Sequence, residues 1–239
     1  MKMLMQRNRL SVFLLGTSDM EKRRAIVDTC FLQKIAAKGS CPENIRIILD
    51  NSEYTPVAHK YVVEQEFALH GYLKKLIEDR YIATIEYDEF LGDSLSKQVY
   101  ETQFVDIYNE MRSYLHTKGG FKQMPELKIP KGSNIYTHHM QGSSMGDVHM
   151  ILMASFMRLP VFLSEDSDIA LLKDIAKRRL SLSSYQLHIY DTLDLLEQIA
   201  GNANTGISHK EFERIVKQAG ERENWSKVNA IWSTSHEKY

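Results

Sequence analysis

The amino-acid sequence predicts an α/β protein with three layers, in which helices cover both faces of a mostly parallel central sheet. Short apolar segments alternate with helical patterns along most of the chain. The segment Leu159–Leu163 is almost continuously apolar, as strands buried on both faces of a parallel sheet are. Acidic residues follow two of the predicted strands, at the edge where the polar groups of such sheets converge.

The first part of the chain is predicted to contain two strands and a long helix. A short apolar strand ends at Asp28 and leads into a helical pattern. Ile45–Leu49 is rich in β-branched residues and is followed by a polar turn, which predicts a second strand. Thr55 as N-cap and Pro56 as first helical residue then open a helix that runs to about Ile77.

The remaining elements are predicted from periodicity and from turn residues. In order, they are a strand at 81–87, a helix at 93–115, a Gly/Pro-rich loop at 119–132, a helix at 145–157, the strand at 159–163, a helix at 168–180 and a strand at 187–190. Alternation of this kind favours parallel pairing of the strands, with the helices as crossover connections.

Composition sets broad limits on function. The 239 residues are 43% hydrophobic and 26% charged, which is ordinary for a globular protein. A net charge of -1 gives no global positive field that would attract nucleic acid. The apolar part of Met1–Gly16 is too short for a signal peptide, and no stretch approaches the roughly 20 apolar residues of a membrane span. Two cysteines form no disulfide framework, so we expect a soluble cytoplasmic protein.

Three acidic residues come close together in the predicted topology. Asp28 ends the first strand, Asp166 follows the Leu159–Leu163 strand, and Asp147 lies near the start of the preceding helix. Mg²⁺ prefers oxygen ligands, and two such ions about 4 Å apart can activate a water for phosphodiester hydrolysis. Taken singly, each acid is more often a turn residue or a helix cap, so an unrelated α/β protein stays an alternative.

Their surroundings resemble the PIN domain family of metal-dependent nucleases. Ala25–Leu32 is similar to the opening strand of that family, in which hydrophobic residues precede Asp-Thr-Asn. Gly146–Asp168 resembles its second half, where an acid-bearing helix leads to a strand ending in Ser/Thr-x-Asp-x-Asp. Tyr190–Leu196 resembles its last strand and the helix that follows.

The resemblance implies a PIN-like three-layer α/β/α fold and an endonuclease, most often an endoribonuclease, that uses Mg²⁺ or Mn²⁺. Asp28, Asp147 and Asp166 would take three acidic metal positions, with Asp168 as an auxiliary acid. Single-stranded RNA would be the substrate. The domain would span residues 1–200 with an insertion at about 80–142, and residues 201–239 would form a C-terminal helical extension packed on it.

The fourth acidic position falls in the predicted long helix, where Glu64 and Glu66 compete. Residues two positions apart on a helix point about 200° away from each other, so only one of these two glutamates can face the site. Glu66 continues the apolar stripe of Val62 and Leu69, whereas Glu64 shares its side with Lys60. We therefore expect Glu66 to complete the catalytic and metal-binding set, and Glu64 to be solvated.

Cys30 departs from the family pattern, because Asn usually stands there. A small thiol replaces an amide that would orient a ligand or a water, and its simplest interpretation is a buried hydrophobe. The alternative function is therefore a catalytically inactive PIN-like module that binds RNA or a protein partner, including a second copy of the chain.

The segment from Lys118 to His139 is a candidate contact for single-stranded RNA. It contains four lysines, among them Lys122, and interleaved aromatic residues, among them Phe121 and Tyr136. Cations suit phosphates and aromatic rings suit base stacking. A solvated surface loop is the other interpretation of the same residues.

Overall fold

The computed structural model describes residues 22–118 and 123–236. The interpretation of Met1–Gly16, and the parts of the loop prediction that rest on Phe121 and Lys122, lie outside these residues.

A single parallel sheet forms the centre of the described chain. Its strands are β1 (Arg23–Val27), β2 (Tyr54–His59), β3 (Ala83–Ile85), β4 (Val161–Leu163) and β5 (His188–Tyr190). Their spatial order is β3-β2-β1-β4-β5, and every pair of neighbours is parallel. β1 is the central strand, and all three of its last residues are buried. This arrangement confirms the predicted α/β fold class.

Helices surround the sheet. Within residues 22–118 and 123–236 they are α1 (Thr29–Ile35), α2 (Glu43–Asp50), α3 (Lys60–Gln65), α4 (Gly71–Glu78), α5 (Ser94–Thr117), α6 (Met145–Met157), α7 (Asp168–Arg179), α8 (Thr192–Ala200), α9 (His209–Gln218) and α10 (Trp225–His236). α1 packs against α2 and α8, whereas α5, α6 and α7 pack against one another. The fold is therefore a three-layer α/β/α arrangement. None of the described helices combines the length and apolarity that a membrane span requires.

The predicted strand at Ile45–Leu49 is wrong, because this segment lies in α2. Ile45, Ile48 and Leu49 are buried, with the i, i+3, i+4 spacing of one helix face. Asn44 is buried beside them and donates to the carbonyl of Ile35 in α1. A short run of β-branched residues fits a strand or a buried helix face equally well, and here tertiary packing selects the helix.

The predicted long helix from Thr55 to about Ile77 is also wrong. Its first residues form β2, and the chain then turns through the short helices α3 and α4. The sequence predicts a helix start at Pro56, yet Pro56 lies opposite Ala25 of β1. β3 pairs with no residue of β2 before Val57, so Pro56 lies outside the stretch of β2 that is paired on both sides. A missing N–H is tolerated at such a position.

The other predicted elements agree with the structure to within a few residues. α6 has the predicted bounds, and β3, α5, β4, α7 and β5 all occur where the pattern indicates them. Within the segment at 80–142, β3 is an edge strand of the sheet and α5 packs on α6 and α7. Beyond residue 200, α10 packs on α8 and α9.

A buried histidine fixes the helix that carries Asp147. His149 of α6 is fully buried, and its Nε2 donates to the carbonyl of Ile135 at 3.0 Å. Its Nδ1 is therefore the acceptor for the Tyr100 hydroxyl of α5, at 2.6 Å. Burial lowers the pKa of His149 to about 3, so the ring is neutral at ordinary pH. The Tyr100 bond holds the first turns of α6 against α5, and the Ile135 bond holds them against the segment that precedes α6.

Candidate metal centre

The carboxyl ends of β1 and β4 define the candidate site. Val27 of β1 lies opposite Leu163 of β4, so Asp28 and Ser164 are the next residues on neighbouring strands. The backbone N–H of Asp28 donates to the carbonyl of Leu163 at 3.1 Å. After β1 the chain moves toward β2 and β3, whereas β4 and β5 lie on the other side. Ligands of open parallel sheets bind at such a topological switch point.

Asp28 is an acid held inside the protein, with only 5% of its surface exposed. Its Oδ2 accepts hydrogen bonds from the Ser164 hydroxyl and the Cys30 thiol, both at 2.7 Å. Burial raises the pKa of the Asp28 carboxyl, and the charge of Asp166 raises it further, whereas the hydrogen bonds oppose the shift. The site therefore disfavours an isolated negative charge at Asp28 and favours a compensating cation.

Ser164 connects Asp28 to Asp166. Its hydroxyl donates to Asp28 and accepts the backbone N–H of Asp166 at 3.0 Å. Asp166 Oδ1 in turn accepts the N–H of Asp168, in the first turn of α7, at 2.8 Å. The structure therefore brings Asp28 and Asp166 to one edge of the sheet, with Asp168 one step farther along the chain.

Glu66 approaches the same edge from the end of α3. The Thr29 hydroxyl donates a short hydrogen bond to its Oε2. Burial raises the pKa of Glu66 to about 7, the charge of Asp28 adds to the rise, and the Thr29 hydrogen bond opposes it. Glu64 is exposed and lies 3.8 Å from the Lys60 ammonium.

The predicted apolar stripe through Val62, Glu66 and Leu69 is not present in the structure. Leu69 is 77% exposed, because α3 ends at Gln65 and the chain changes direction at Glu66. Glu66 follows the helix as its C-cap, with φ of -122° and ψ of -55°, which are not helical values. The break in the helix turns its side chain toward Thr29.

Gly146, the residue before Asp147, lies against Glu66. A Cβ atom on Gly146 would lie 2.6 Å from Glu66 Oε1 and 3.3 Å from Val62 Cγ2. The start of α6 therefore packs directly on the Glu66 carboxylate, and Asp147 is the next residue of that first turn, half-buried. Glycine at 146 permits this close approach.

The donor chemistry fits a hard divalent cation, since the acids supply oxygen atoms alone. The side chains are nevertheless not arranged as a ready ligand set: in residues 22–118 and 123–236, no three His, Cys, Asp or Glu side chains are grouped closely enough to hold a metal ion. One carboxylate oxygen of Asp28 accepts hydrogen bonds from Ser164 and Cys30, and one of Glu66 accepts a hydrogen bond from Thr29. Binding an ion requires these side chains to reorient.

Cys30 is not the buried hydrophobe that its residue type suggests. It is half-buried, its thiol donates to Asp28, and its sulfur lies 3.7 Å from the Ser164 hydroxyl oxygen. Burial and the Asp28 charge raise the pKa of the thiol, so Cys30 stays protonated. Sequence reasoning missed the contacts of Cys30 with Asp28 and of Thr29 with Glu66. Both residues directly follow Asp28, and the first side chains of a helix that starts at a strand end lie near the site.

The candidate RNA loop is partly packed into the protein. The Tyr136 ring meets Tyr87 edge to face at 4.7 Å between centroids and stacks on Tyr100 at 6.0 Å. Its hydroxyl donates to Glu101 at 3.0 Å. Tyr136 therefore serves the contact between the loop and α5, and this ring is not presented for base stacking.

No family model, no curated protein and no solved structure matches the chain. The resemblance to PIN domains therefore stays a hypothesis carried by the residues and the geometry described above.

Proposed function

We propose that the protein is a Mg²⁺- or Mn²⁺-dependent endonuclease, acting on single-stranded RNA in the cytoplasm. Asp28, Glu66, Asp147 and Asp166 form the catalytic and metal-binding set, with Asp168 as an auxiliary metal ligand. One observation carries the proposal: at the switch point of a parallel sheet, the Ser164 hydroxyl bonds both the Asp28 carboxylate and the backbone N–H of Asp166. The choice of RNA and the assignment of Asp147 and Asp168 rest on the PIN resemblance.

The chain's own residues prepare the site for a cation and a phosphodiester. A bound divalent ion would supply an activated water and would stabilise the leaving oxygen. Burial holds Asp28 where water solvates its charge poorly, which strengthens its attraction to a cation. Ser164 orients the carboxylate of Asp28, and Thr29 orients that of Glu66. Hydrogen bonds of this kind to ligand carboxylates tune metal affinity.

Incubation of the purified protein with labelled single-stranded RNA tests the proposal. We expect cleavage with Mg²⁺ or Mn²⁺ and none with EDTA. Cys30→Asn should leave the rate unchanged or raise it, because the amide can donate to Asp28 as the thiol does. Absence of cleavage with both metals, in wild type and variant alike, rejects the nuclease.

A specific observation also supports a second candidate, the catalytically inactive module that binds RNA or protein. Cys30 stands where the family has Asn, and no ready ligand group exists among the described residues. For this candidate, wild type binds RNA without cleaving it, and Cys30→Asn gains metal-dependent cleavage. Cleavage by the wild type eliminates it.

Gly146→Ala is expected to weaken metal binding without removing an acid. The new methyl group would meet Glu66 Oε1 at 2.6 Å, so the carboxylate must leave its place beside Thr29. Mn²⁺ should raise the melting temperature of wild type by mass action, and the rise should be less than about half as large in the variant. Differential scanning calorimetry measures both.

Gly92→Ala is the matched control, because a Cβ atom at Gly92 has no neighbour within 4 Å. Its melting temperature should respond to Mn²⁺ as that of wild type does. If Gly146→Ala also keeps the full response, the metal binds away from Glu66 and the proposed ligand set is wrong.

A further inference from the structure

A groove of about 470 Å³ leads away from the candidate metal centre. It lies between α1 and the end of α9, and its size is within the range of ordinary ligand sites. Cys30 belongs to both places, since it lines the groove and donates to Asp28. The groove therefore begins at a residue that contacts the candidate metal centre.

One face of α1 and the turn after it form the first wall. Cys30, Gln33, Lys34 and Ala37 line the groove with i, i+3, i+4, i+7 spacing, and Lys38 follows at its far end. Seven residues of helix extend about 10 Å. Gln218, Ala219 and Gly220 form the opposite wall.

Charge is distributed unevenly along the groove. In the middle, Lys34 is neutralised by Glu165 and Glu221, each 2.6 Å from its ammonium. At the far end, Lys38 is exposed and forms no ion pair with any residue in the described ranges. One lysine and two glutamates give this cluster a net charge of -1, so a phosphate is disfavoured there and is expected at Lys38, at the far end.

One glutamine lines each wall of the groove, and each amide is held by a neighbour. Gln33 Nε2 lies 2.7 Å from His70 Nε2. Gln218 Oε1 accepts from Asn44 and from Arg214, at 3.0 Å and 2.6 Å. Gln33 Oε1 and Gln218 Nε2 form no hydrogen bond with a described residue, so an acceptor and a donor stay available for the edge of a nucleobase.

We infer that this groove binds the nucleotide next to the reacting phosphodiester of single-stranded RNA. The base lies between Gln33 and Gln218, and the following phosphate meets Lys38. This inference rests on the proposed function for its substrate, but the binding site itself requires no cleavage.

Fluorescence anisotropy of a labelled single-stranded RNA of about ten nucleotides tests the groove. The buffer contains Ca²⁺ in place of Mg²⁺, and a gel afterwards shows whether the RNA stayed intact. Gln33→Met keeps the side-chain length and removes the amide, so Kd should rise about three- to tenfold. Lys38→Met should raise Kd similarly and lower the slope of log Kd against log salt by about 0.7.

Lys210→Met is the matched control. Lys210 is also exposed but lies near the start of α9, about 12 Å along that helix from Gln218. Its Kd should stay within about twofold of wild type. Equal weakening by Lys210→Met, or wild-type affinity in both groove variants, overturns the inference, and thermal melting confirms that each variant is folded.

The two proposals fail separately. If wild type cleaves RNA and the groove variants bind as wild type does, the groove is wrong and the nuclease stands. If wild type cleaves nothing with Mg²⁺ or Mn²⁺ and the groove variants lose binding, the groove stands and the nuclease is wrong.

Discussion

Asp28→Asn is expected to lower metal-dependent RNA cleavage by more than about a hundredfold, since even residues that only orient a metal ligand contribute 10- to 100-fold. The substitution removes the charge of the most buried proposed ligand and keeps the size of its side chain. The amide oxygen can still accept from Ser164 and Cys30, so the local structure should persist. Initial rates of RNA cleavage at saturating Mg²⁺ measure the loss.

Glu64→Gln is the control for this experiment. It makes the same carboxylate-to-amide change in an exposed residue that faces Lys60 rather than the site. Its cleavage rate should stay within about twofold of wild type, because surface substitutions of this kind change little. A similar rate for Asp28→Asn and Glu64→Gln would show that the strand-end acids are not the reaction centre.

Glu66→Gln is expected to stabilise the metal-free protein at neutral and alkaline pH. The pKa of Glu66 rises from 4.5 to about 7 on folding, so between these values the native state binds more protons than the unfolded state. Stability therefore falls as pH rises through this window and stays low above it. The amide of the variant cannot ionise, so the variant should be more stable above pH 7 by about 3 kcal/mol.

Urea unfolding in EDTA, from pH 4 to pH 8, measures this difference. The advantage of Glu66→Gln should be small below the unfolded pKa of 4.5 and should reach its full size above about 7. Glu64→Gln makes the same carboxylate-to-amide change at an exposed position and is the control for this series. A difference between Glu66→Gln and wild type that is constant over the whole range would mean that Glu66 is not buried against the site.

The sequence predicts the second half of the fold closely because its local signals are strong. Leu159–Leu163 is too short and too apolar for a surface helix, and Met145–Met157 is apolar over more than three turns. Ile45–Leu49 carries no such signal, since its short apolar run satisfies both periods. The helix start predicted at Pro56 is wrong for a related reason. Proline is typical of a helix start, but the pairing of β2 with β1 outweighs that local preference.

The site shows the same limit. The positions of Asp28 and Asp166 after predicted strands indicate that the two residues lie near each other, because neighbouring parallel strands end at one edge of the sheet. Glu66 does lie beside Thr29, but the predicted apolar stripe is not the cause. The contacts of Thr29 with Glu66 and of Ser164 with Asp28 join residues 37 and 136 positions apart. No local pattern encodes such pairs.

The distance along the chain between Asp28 and Ser164 also determines when the site can form during synthesis. The strand that precedes Asp28 leaves the ribosome before its partner β4, which follows more than a hundred residues later. Asp28 and Ser164, which bond to each other, are 136 positions apart. Pairing between such distant segments waits for the intervening chain. A nascent polypeptide that ends before β4 therefore contains Asp28 and Glu66 but lacks Asp166. Under the proposed function, the protein gains the capacity to cut RNA only after translation has passed β4 and Asp166.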